Sequence, residues 1–147
     1  MSIEVLIEAA AGSSTRTKYD EKLLRPLGER SIGQPYPYSY GFVLDTTGAD
    51  GDNVDCYVVG DTTPQSGTIV ACEVVALLDQ IESNGEADHK VLAVVLGEDA
   101  VLAPGVVDQL TEFIYAMFAE YPNAHVRVGP VHSAAAALAY LADASDR

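Results

Sequence analysis

The sequence is poor in positive charge. Its 147 residues include 8 lysines and arginines against 22 aspartates and glutamates, so the formal net charge is −14. A surface this acidic repels phosphate backbones and anionic lipid headgroups. The composition therefore argues against nucleic-acid binding through a basic footprint and against binding to a membrane surface.

Cysteine and long apolar runs are also scarce. The two cysteines, Cys56 and Cys72, each lie in an apolar strand-like run, which suits buried thiols better than a disulfide framework. No apolar run reaches the length of a transmembrane helix, and the first residues lack the charged leader and apolar region of a signal peptide. We therefore expect a cytoplasmic protein without a membrane segment.

What the sequence does contain is a series of short β-rich segments. With 48% hydrophobic residues the chain can bury one core, and we expect one compact domain. Strands are predicted at residues 3–8, 42–44, 55–59, 68–78 and 90–96, with Gly, Pro, Asp and Asn between them. Regular short strands in a small domain favour a barrel or a sandwich.

Two helices are predicted in the last third of the chain. Apolar residues from Val106 to Tyr121 recur at helical spacing and predict an amphipathic helix that Pro122 terminates. Residues 125–131 are predicted to form one more strand. Ser133 then suits the N-cap of an alanine-rich helix that runs to about residue 144.

Residues 50–55 carry the strongest chemical signal. Their sequence, Asp-Gly-Asp-Asn-Val-Asp, crowds three carboxylates onto one short turn that enters a buried strand. An all-oxygen ligand set suits a hard cation such as Mg²⁺, Mn²⁺ or Ca²⁺ rather than zinc. The simpler interpretation of a lone Asp-Gly-Asp sequence is a solvated turn. An EF-hand is excluded by the spacing of ligands and glycine.

Two flanking segments extend the pattern. Residues 36–42 read Tyr-Pro-Tyr-Ser-Tyr-Gly-Phe, and an acidic loop at residues 82–90 ends in Asp-His-Lys. Together the three segments resemble the soluble family I inorganic pyrophosphatases, which carry Y-P-x-x-Y-G-[FY], then D-G-D-x-x-D, then an acidic loop ending in D-x-K. Further correspondences run from Ile7-Glu8 to Tyr121, so the resemblance covers most of the chain.

The resemblance implies a fold and an activity. The fold is mainly β with flanking helices (α+β): a five-stranded OB-type β-barrel with one long amphipathic helix and a C-terminal helix, in a single domain over residues 1–147. The activity is Mg²⁺-dependent hydrolysis of inorganic pyrophosphate to two orthophosphates by a metal-activated water. The resemblance also implies a homo-oligomer, commonly a hexamer in bacterial-type members.

The resemblance further implies roles for individual residues. Asp52 matches the carboxylate that takes the proton from the attacking water. The residues that match the metal site are Asp50, Asp55, Asp88, Glu82 and Glu8. The residues that match those around the substrate phosphates are Lys18, Tyr40, Lys90 and Tyr121. This set is chemically consistent, because carboxylates can hold cations that neutralise phosphoryl oxygens while one carboxylate acts as a base.

Two residues, Arg25 and Arg30, are candidates for the family's phosphate-binding arginine. If Glu21-Lys22 is the turn of a two-residue hairpin, Lys18 lies directly opposite Arg25. Two adjacent cations are costly unless an anion lies between them, and the sequence from Arg25 to residue 27 also resembles the family's R-[VP]-L. Arg25 is therefore preferred, and Arg30 remains the alternative.

Four positions depart from the family pattern. Asp20 stands where the family usually has Glu, and Glu82 where it usually has Asp, so charge is kept while reach changes by one methylene. Asn53 replaces the usual proline of the turn. Pro122 replaces a substrate-contacting lysine after Tyr121 and removes a charge outright.

Two other functions are compatible with these departures. One is a catalytically weakened binding module built on an OB-type barrel. The retained base Asp52 and the lysines Lys18 and Lys90 argue against it, since a site without turnover has no physical need of them. The other is a hydrolase of a related phosphoanhydride, because the charges of the pocket do not by themselves exclude a larger substrate.

Overall fold

The computed structural model describes residues 2–146. In chain order its elements are β1 Ser2–Ala9, β2 Thr15–Asp20, β3 Arg25–Ser31, β4 Ser39–Val43, β5 Asp55–Val58, β6 Ile69–Glu82, β7 Lys90–Val95, α1 Val106–Phe118, β8 Val126–Ser133 and α2 Ala134–Asp143. Within these residues no helix is long and apolar enough to cross a membrane.

Five strands close into a barrel. Backbone pairing follows the order β1-β4-β5-β7-β6, and β6 pairs again with β1. The strands pair antiparallel except β5 and β7, which run parallel. The outer strand β8 extends the sheet beyond β6, and β2 with β3 forms a separate two-stranded hairpin. The predicted mainly β fold, with a five-stranded OB-type barrel and two helices, is confirmed.

Strand β6 makes closure of the barrel feasible. It runs to Glu82, beyond the predicted end at residue 78, and it pairs with β1, β7 and β8. Register shifts between Val74 and Ala76, and again between Leu78 and Gln80, mark bulges in this strand. Bulges bend a strand and increase its twist, so one long strand can serve both the barrel and the outer pair.

The two helices cover separate parts of the core. Helix α1 contributes Leu110 and Ile114 to a buried cluster with Tyr40 and Tyr57. Helix α2 places Leu141 on a second cluster, which includes several other buried side chains of β1 and β5. Both clusters are built from side chains of the barrel strands, and the helices therefore complete a core whose frame is the barrel.

The helix boundaries partly match the sequence prediction. Ser133 caps α2 as predicted, because its Oγ accepts a hydrogen bond from the N–H of Ala136 at 3.2 Å. Helix α1 ends at Phe118, with Ala119 as its C-cap, rather than at Tyr121. Pro122 lies beyond that end, so the prediction that this proline terminates the helix is wrong.

The strand register observed in the hairpin differs from the predicted register. Its turn spans residues 21–24 instead of two residues, and Asp20 pairs with Arg25. A register shift after Lys18 places that residue opposite Gly28. The predicted pairing of Lys18 with Arg25 is therefore wrong, because the turn is longer than assumed and the strands contain a bulge.

We expect Leu110→Ala to lower the free energy of unfolding by about 2–5 kcal/mol, since Leu110 is a fully buried residue of α1 and its truncation leaves a cavity. Leu23→Ala is the matched control, because this leucine is 63% exposed in the hairpin turn. Urea unfolding of both variants measures the difference. Equal losses of stability would contradict the assigned packing of α1.

Candidate active site

The acidic turn, residues 50–55, connects β4 to β5 and is closed by its own backbone. Gly51 donates its N–H to the carbonyl of Gly48 at 3.1 Å, and Gly48 donates to the carbonyl of Asp52 at 2.7 Å. The φ of Gly51 is 87°, a conformation that favours glycine. The Asp52 N–H donates to Asp50 Oδ1 at 3.0 Å. The side chains of both aspartates consequently stand at the exposed tip of the turn.

The last residue of the turn, Asp55, lies beside Lys90. The parallel pairing of β5 with β7 places these two residues side by side. Lys90 Nζ lies 2.5 Å from Asp55 Oδ2 and 3.0 Å from Asp88 Oδ2. Lys90 is only 4% exposed. Its ammonium group therefore neutralises the carboxylates of Asp55 and Asp88, which are both predicted metal-site residues.

Glu8, the predicted acidic residue of β1, is completely buried. Its Oε1 accepts a hydrogen bond from Arg16 Nη2 at 3.0 Å. Its Oε2 is buried and has no hydrogen-bond partner among residues 2–146. Burial raises the pKa of Glu8 despite the charge of Arg16. A buried carboxylate oxygen without a donor is suited to interaction with a cation.

A cavity of about 480 Å³ opens beside these charges. The predicted site residues that line it are Tyr40, Glu82, Asp88, Lys90 and Tyr121. Its opposite wall is apolar and includes Ile114, Met117 and Phe118 at the end of α1. The cavity thus combines cationic, anionic and aromatic groups from the barrel with apolar groups from the helix.

Two arginines complete the cationic side of the cavity. Arg16 and Arg30 are directly paired across the hairpin, and both line the cavity. Arg16 lies over the ring of Tyr40, 5.1 Å from its centroid. Arg30 donates to Tyr121 Oη at 3.1 Å. Arg25 lies outside this cavity, opposite Asp20 at the exposed hairpin turn.

Arg16 was not predicted as a site residue because the predicted hairpin register was wrong. The argument that two adjacent cations need an anion between them was applied to Lys18 and Arg25, which do not pair. In the observed register the two adjacent cations are Arg16 and Arg30, so it is this pair that needs an anion between its members. A four-residue turn alone would have set Arg16 opposite Glu29, and only the additional bulge after Lys18 brings Arg16 opposite Arg30.

A second overlooked residue is Glu21 in the hairpin turn. Asp20, at the position matched to the family's glutamate, accepts hydrogen bonds from the N–H groups of Lys22 and Leu23 and so caps its own turn. Glu21 instead reaches the acidic turn, where its Oε1 accepts the Asn53 N–H at 2.9 Å. The hairpin therefore brings an additional carboxylate to the site.

The pKa values show how strongly the carboxylates interact. Burial, followed by the charges of neighbouring carboxylates, raises the pKa of Glu21 to about 7. Burial and the contact with Asp88 raise the pKa of Glu82 to about 7 as well. Burial acts most strongly on Asp88 and would raise its pKa, but the charge of Lys90 and the hydrogen bonds with Glu82, Lys90 and Asp55 together outweigh burial and lower the pKa. The site holds more negative charge than its cations neutralise.

The donor set fits a hard divalent cation, although the side chains are not gathered into a finished site. Among residues 2–146, no group of three or more His, Cys, Asp or Glu side chains is arranged to hold a metal ion. The carboxylates nearby supply only oxygen donors, and Glu8 has one oxygen without a partner. A bound cation would compete with Lys90 for the carboxylates of Asp55 and Asp88.

Comparison with proteins of known sequence gives consistent matches. A family model described as inorganic pyrophosphatase matches residues 5–145. The inorganic pyrophosphatase of Thermoplasma volcanium is 37% identical over 95 residues, which cover 63% of this chain and 56% of that protein. The Nostoc inorganic pyrophosphatase is 32% identical over 136 residues, 86% of this chain and 78% of that one. The match to the first relative thus spans little more than half of its length.

Comparison with solved structures extends the match to nearly the whole chain. The inorganic pyrophosphatase of Helicobacter pylori superposes with a TM-score of 0.87 at 27% identity, covering 97% of this chain and 91% of that one. The family resemblance carried by the tyrosine segment, the acidic turn and the acidic loop is thereby confirmed. This chain belongs to the inorganic pyrophosphatase family.

Proposed function

We propose that this protein hydrolyses inorganic pyrophosphate to two orthophosphates. The observation that carries the proposal is the meeting of three cationic side chains, Arg16, Arg30 and Lys90, with carboxylates in one cavity. A small polyanion needs cations for its phosphoryl oxygens, and its hydrolysis needs carboxylates to hold metal ions and accept a proton. Membership of the inorganic pyrophosphatase family supports the same activity.

The carboxylates around Lys90 would hold the metal cofactor, for which we propose Mg²⁺. The residues assigned to it are Asp50, Asp55, Asp88, Glu82 and Glu8. When bound, a divalent cation neutralises phosphoryl charge and makes water easier to deprotonate. Mg²⁺ suits this role because it prefers oxygen ligands and keeps several waters.

The chain's own side chains then have separate tasks. Arg16, Arg30 and Lys90 bind phosphoryl oxygens, and Tyr40 supports the guanidinium of Arg16 from below. Asp52 accepts a proton from the attacking water, whose oxygen forms a bond to one phosphorus atom. The bond from that phosphorus to the bridging oxygen breaks, and the second orthophosphate departs with the bridging oxygen and its electron pair.

The cavity also favours a second candidate substrate class. Its volume of about 480 Å³ lies in the range of pockets that hold drug-sized ligands, and part of its wall is apolar. A larger phosphoanhydride that carries an organic group would use that wall. Lys18 and Arg25, which were predicted to bind phosphate, lie outside the cavity lining in either case.

The remaining expectations stay predictions. They are a cytoplasmic location, a homo-oligomer with a hexamer as its commonest form, and no nucleic-acid or membrane partner. The net charge of −14 supports the last of these. Exposed apolar side chains such as Leu27 and Val101 are compatible with contacts between subunits.

The proposal is tested by phosphate release from pyrophosphate with Mg²⁺ and with excess EDTA, and from a nucleoside diphosphate in parallel. We expect rapid release only from pyrophosphate and only with the metal, because the chain's own cations offset only part of the charge of the carboxylates. Full turnover in EDTA would reject the metal requirement. Release only from the nucleoside diphosphate would favour the larger substrate class.

The variants Asp52→Asn and Asp55→Asn distinguish the proposed general base, Asp52, from a proposed metal ligand, Asp55. We expect Asp52→Asn to lower kcat by roughly 10²–10⁴, the usual contribution of a general base, with nearly unchanged metal affinity. Asp55→Asn should instead weaken Mg²⁺ binding, because it removes a carboxylate charge beside Lys90. Kinetics combined with Mg²⁺ titration calorimetry measure both effects. Equal shifts of metal affinity would contradict the division of roles.

Arg30→Ala and Arg25→Ala should distinguish the two candidate arginines. A charge-assisted hydrogen bond to phosphate contributes roughly 1.5–3 kcal/mol, so losing Arg30 should lower kcat/KM on the order of 10- to 150-fold. Arg25 is exposed outside the cavity, and its removal should change kcat/KM by less than about twofold. A larger effect at Arg25 would show that the sequence-based preference was correct.

A further inference from the structure

One peptide group in the acidic turn is held from both sides. The carbonyl of Asp52 accepts the Gly48 N–H at 2.7 Å. On the other side of the same peptide group, the Asn53 N–H donates to Glu21 Oε1 at 2.9 Å. Because a peptide group is planar, these two contacts together fix its orientation and with it the ψ angle of Asp52.

The second of these contacts comes from a distant part of the chain. The neighbouring donors find acceptors within the loop that joins β4 to β5: Gly51 N–H with Gly48 O, Asp52 N–H with Asp50 Oδ1 and Val54 N–H with Thr46 Oγ1. Glu21 is 32 residues from Asn53 and belongs to the hairpin turn. The turn next to Asp52 therefore depends on the hairpin for one backbone contact.

Asn53 is poorly placed to replace that contact with water. It is only 3% exposed, and its side-chain amide donates to the carbonyl of Val43 at 2.9 Å. A buried N–H that loses its acceptor bears the full cost of desolvation. Loss of the Glu21 carboxylate should therefore reorient the peptide group rather than leave it in place.

The hairpin turn is itself fixed against this loop. Lys22 Nζ donates to the carbonyl of Thr46 and to Thr47 Oγ1, both at 2.7 Å. Burial, followed by the charges of Glu8 and other carboxylates, raises the pKa of Glu21 to about 7. The contact to Asn53 is thus part of a docked interface and not an isolated surface bond.

We propose that Glu21 is a positioning residue, which holds the peptide group between Asp52 and Asn53 so that the Asp52 carboxylate faces the attacking water. Glu21 acts through Asn53 and does not touch the substrate. This inference rests on the proposed function, since it takes Asp52 to be the general base. It needs a hydrogen-bond acceptor at position 21 and does not need a negative charge there.

Glu21→Ala and Glu21→Gln distinguish the acceptor from the charge. We expect Glu21→Ala to lower kcat for pyrophosphate about 10- to 100-fold, as is typical for residues that orient a catalytic group, with KM changed by less than about threefold. Glu21→Gln keeps an acceptor and should retain kcat within about threefold of the unmodified protein. Glu29→Ala removes an exposed charge from the same hairpin and controls for net charge.

The outcomes that overturn the proposal are specific. Unchanged kcat in Glu21→Ala would show that the contact does not position Asp52. A Glu21→Gln variant as impaired as Glu21→Ala would show that the charge, and not the acceptor, is required. A loss expressed in KM alone would assign Glu21 to substrate or metal binding.

Variants of Asn53 test the same contact from the other side. Asn53→Pro removes the backbone N–H, and Asn53→Ala keeps it while removing the side-chain bond to Val43. We expect Asn53→Pro combined with Glu21→Ala to be no slower than the slower single variant, because both remove one interaction. Asn53→Ala should retain more kcat than Asn53→Pro. Fully multiplicative losses in the double variant would overturn the proposed coupling.

Amide hydrogen exchange tests the contact without any turnover. We expect the Asn53 amide to be protected in the unmodified protein and in Glu21→Gln, and to exchange at least about tenfold faster in Glu21→Ala. An unchanged exchange rate in Glu21→Ala would overturn the positioning role, even if the variants are too unstable for kinetics. If the unmodified protein releases no phosphate from pyrophosphate, the proposed function fails, while the exchange result still decides whether Glu21 holds the turn.

Discussion

The buried ammonium of Lys90 is the interaction on which the site depends. It lies between Asp55 and Asp88, at 2.5 and 3.0 Å, in a position where none of the three charges is well solvated. Removing one member of such a group leaves the others desolvated without a partner, which is strongly destabilising. The parallel pairing of β5 with β7 sets Asp55 beside Lys90, and so the barrel topology itself creates the charge cluster.

The hairpin is the second constraint, because it links parts of the molecule that the barrel leaves apart. Three of its contacts reach different parts of the protein: Arg16 contacts Glu8 on β1, Arg30 contacts Tyr121 beyond α1, and Glu21 contacts Asn53 in the acidic turn. The cationic wall of the cavity and the support of the acidic turn thus come from one small element. Its own strand β3 is exposed throughout, so these contacts to the rest of the protein hold it in place.

Much of the fold was predictable because it depends on local patterns. Strand segments with apolar residues between turn-forming residues gave the barrel strands, and helical spacing from Val106 onward gave α1. The end of α1 was less predictable. Tyr121 continues the apolar spacing and Pro122 offers an apparent stop, yet the backbone leaves the helix after Phe118. Tyr121 is 53% exposed and lines the cavity, so a residue can continue the apolar spacing without continuing the helix or joining the core.

The sequence by itself determined the family, the barrel and the carboxylates of the acidic turn, because these depend on residue types at short, regular spacings. Only the tertiary structure decided which cations face them. A longer turn and a bulge moved Lys18 and Arg25 out of register and paired Arg16 with Arg30. Likewise Glu21, not Asp20, reaches the acidic turn. Such choices depend on strand register, in which a shift of one residue turns every side chain to the opposite face, and no local pattern in this hairpin specified that register.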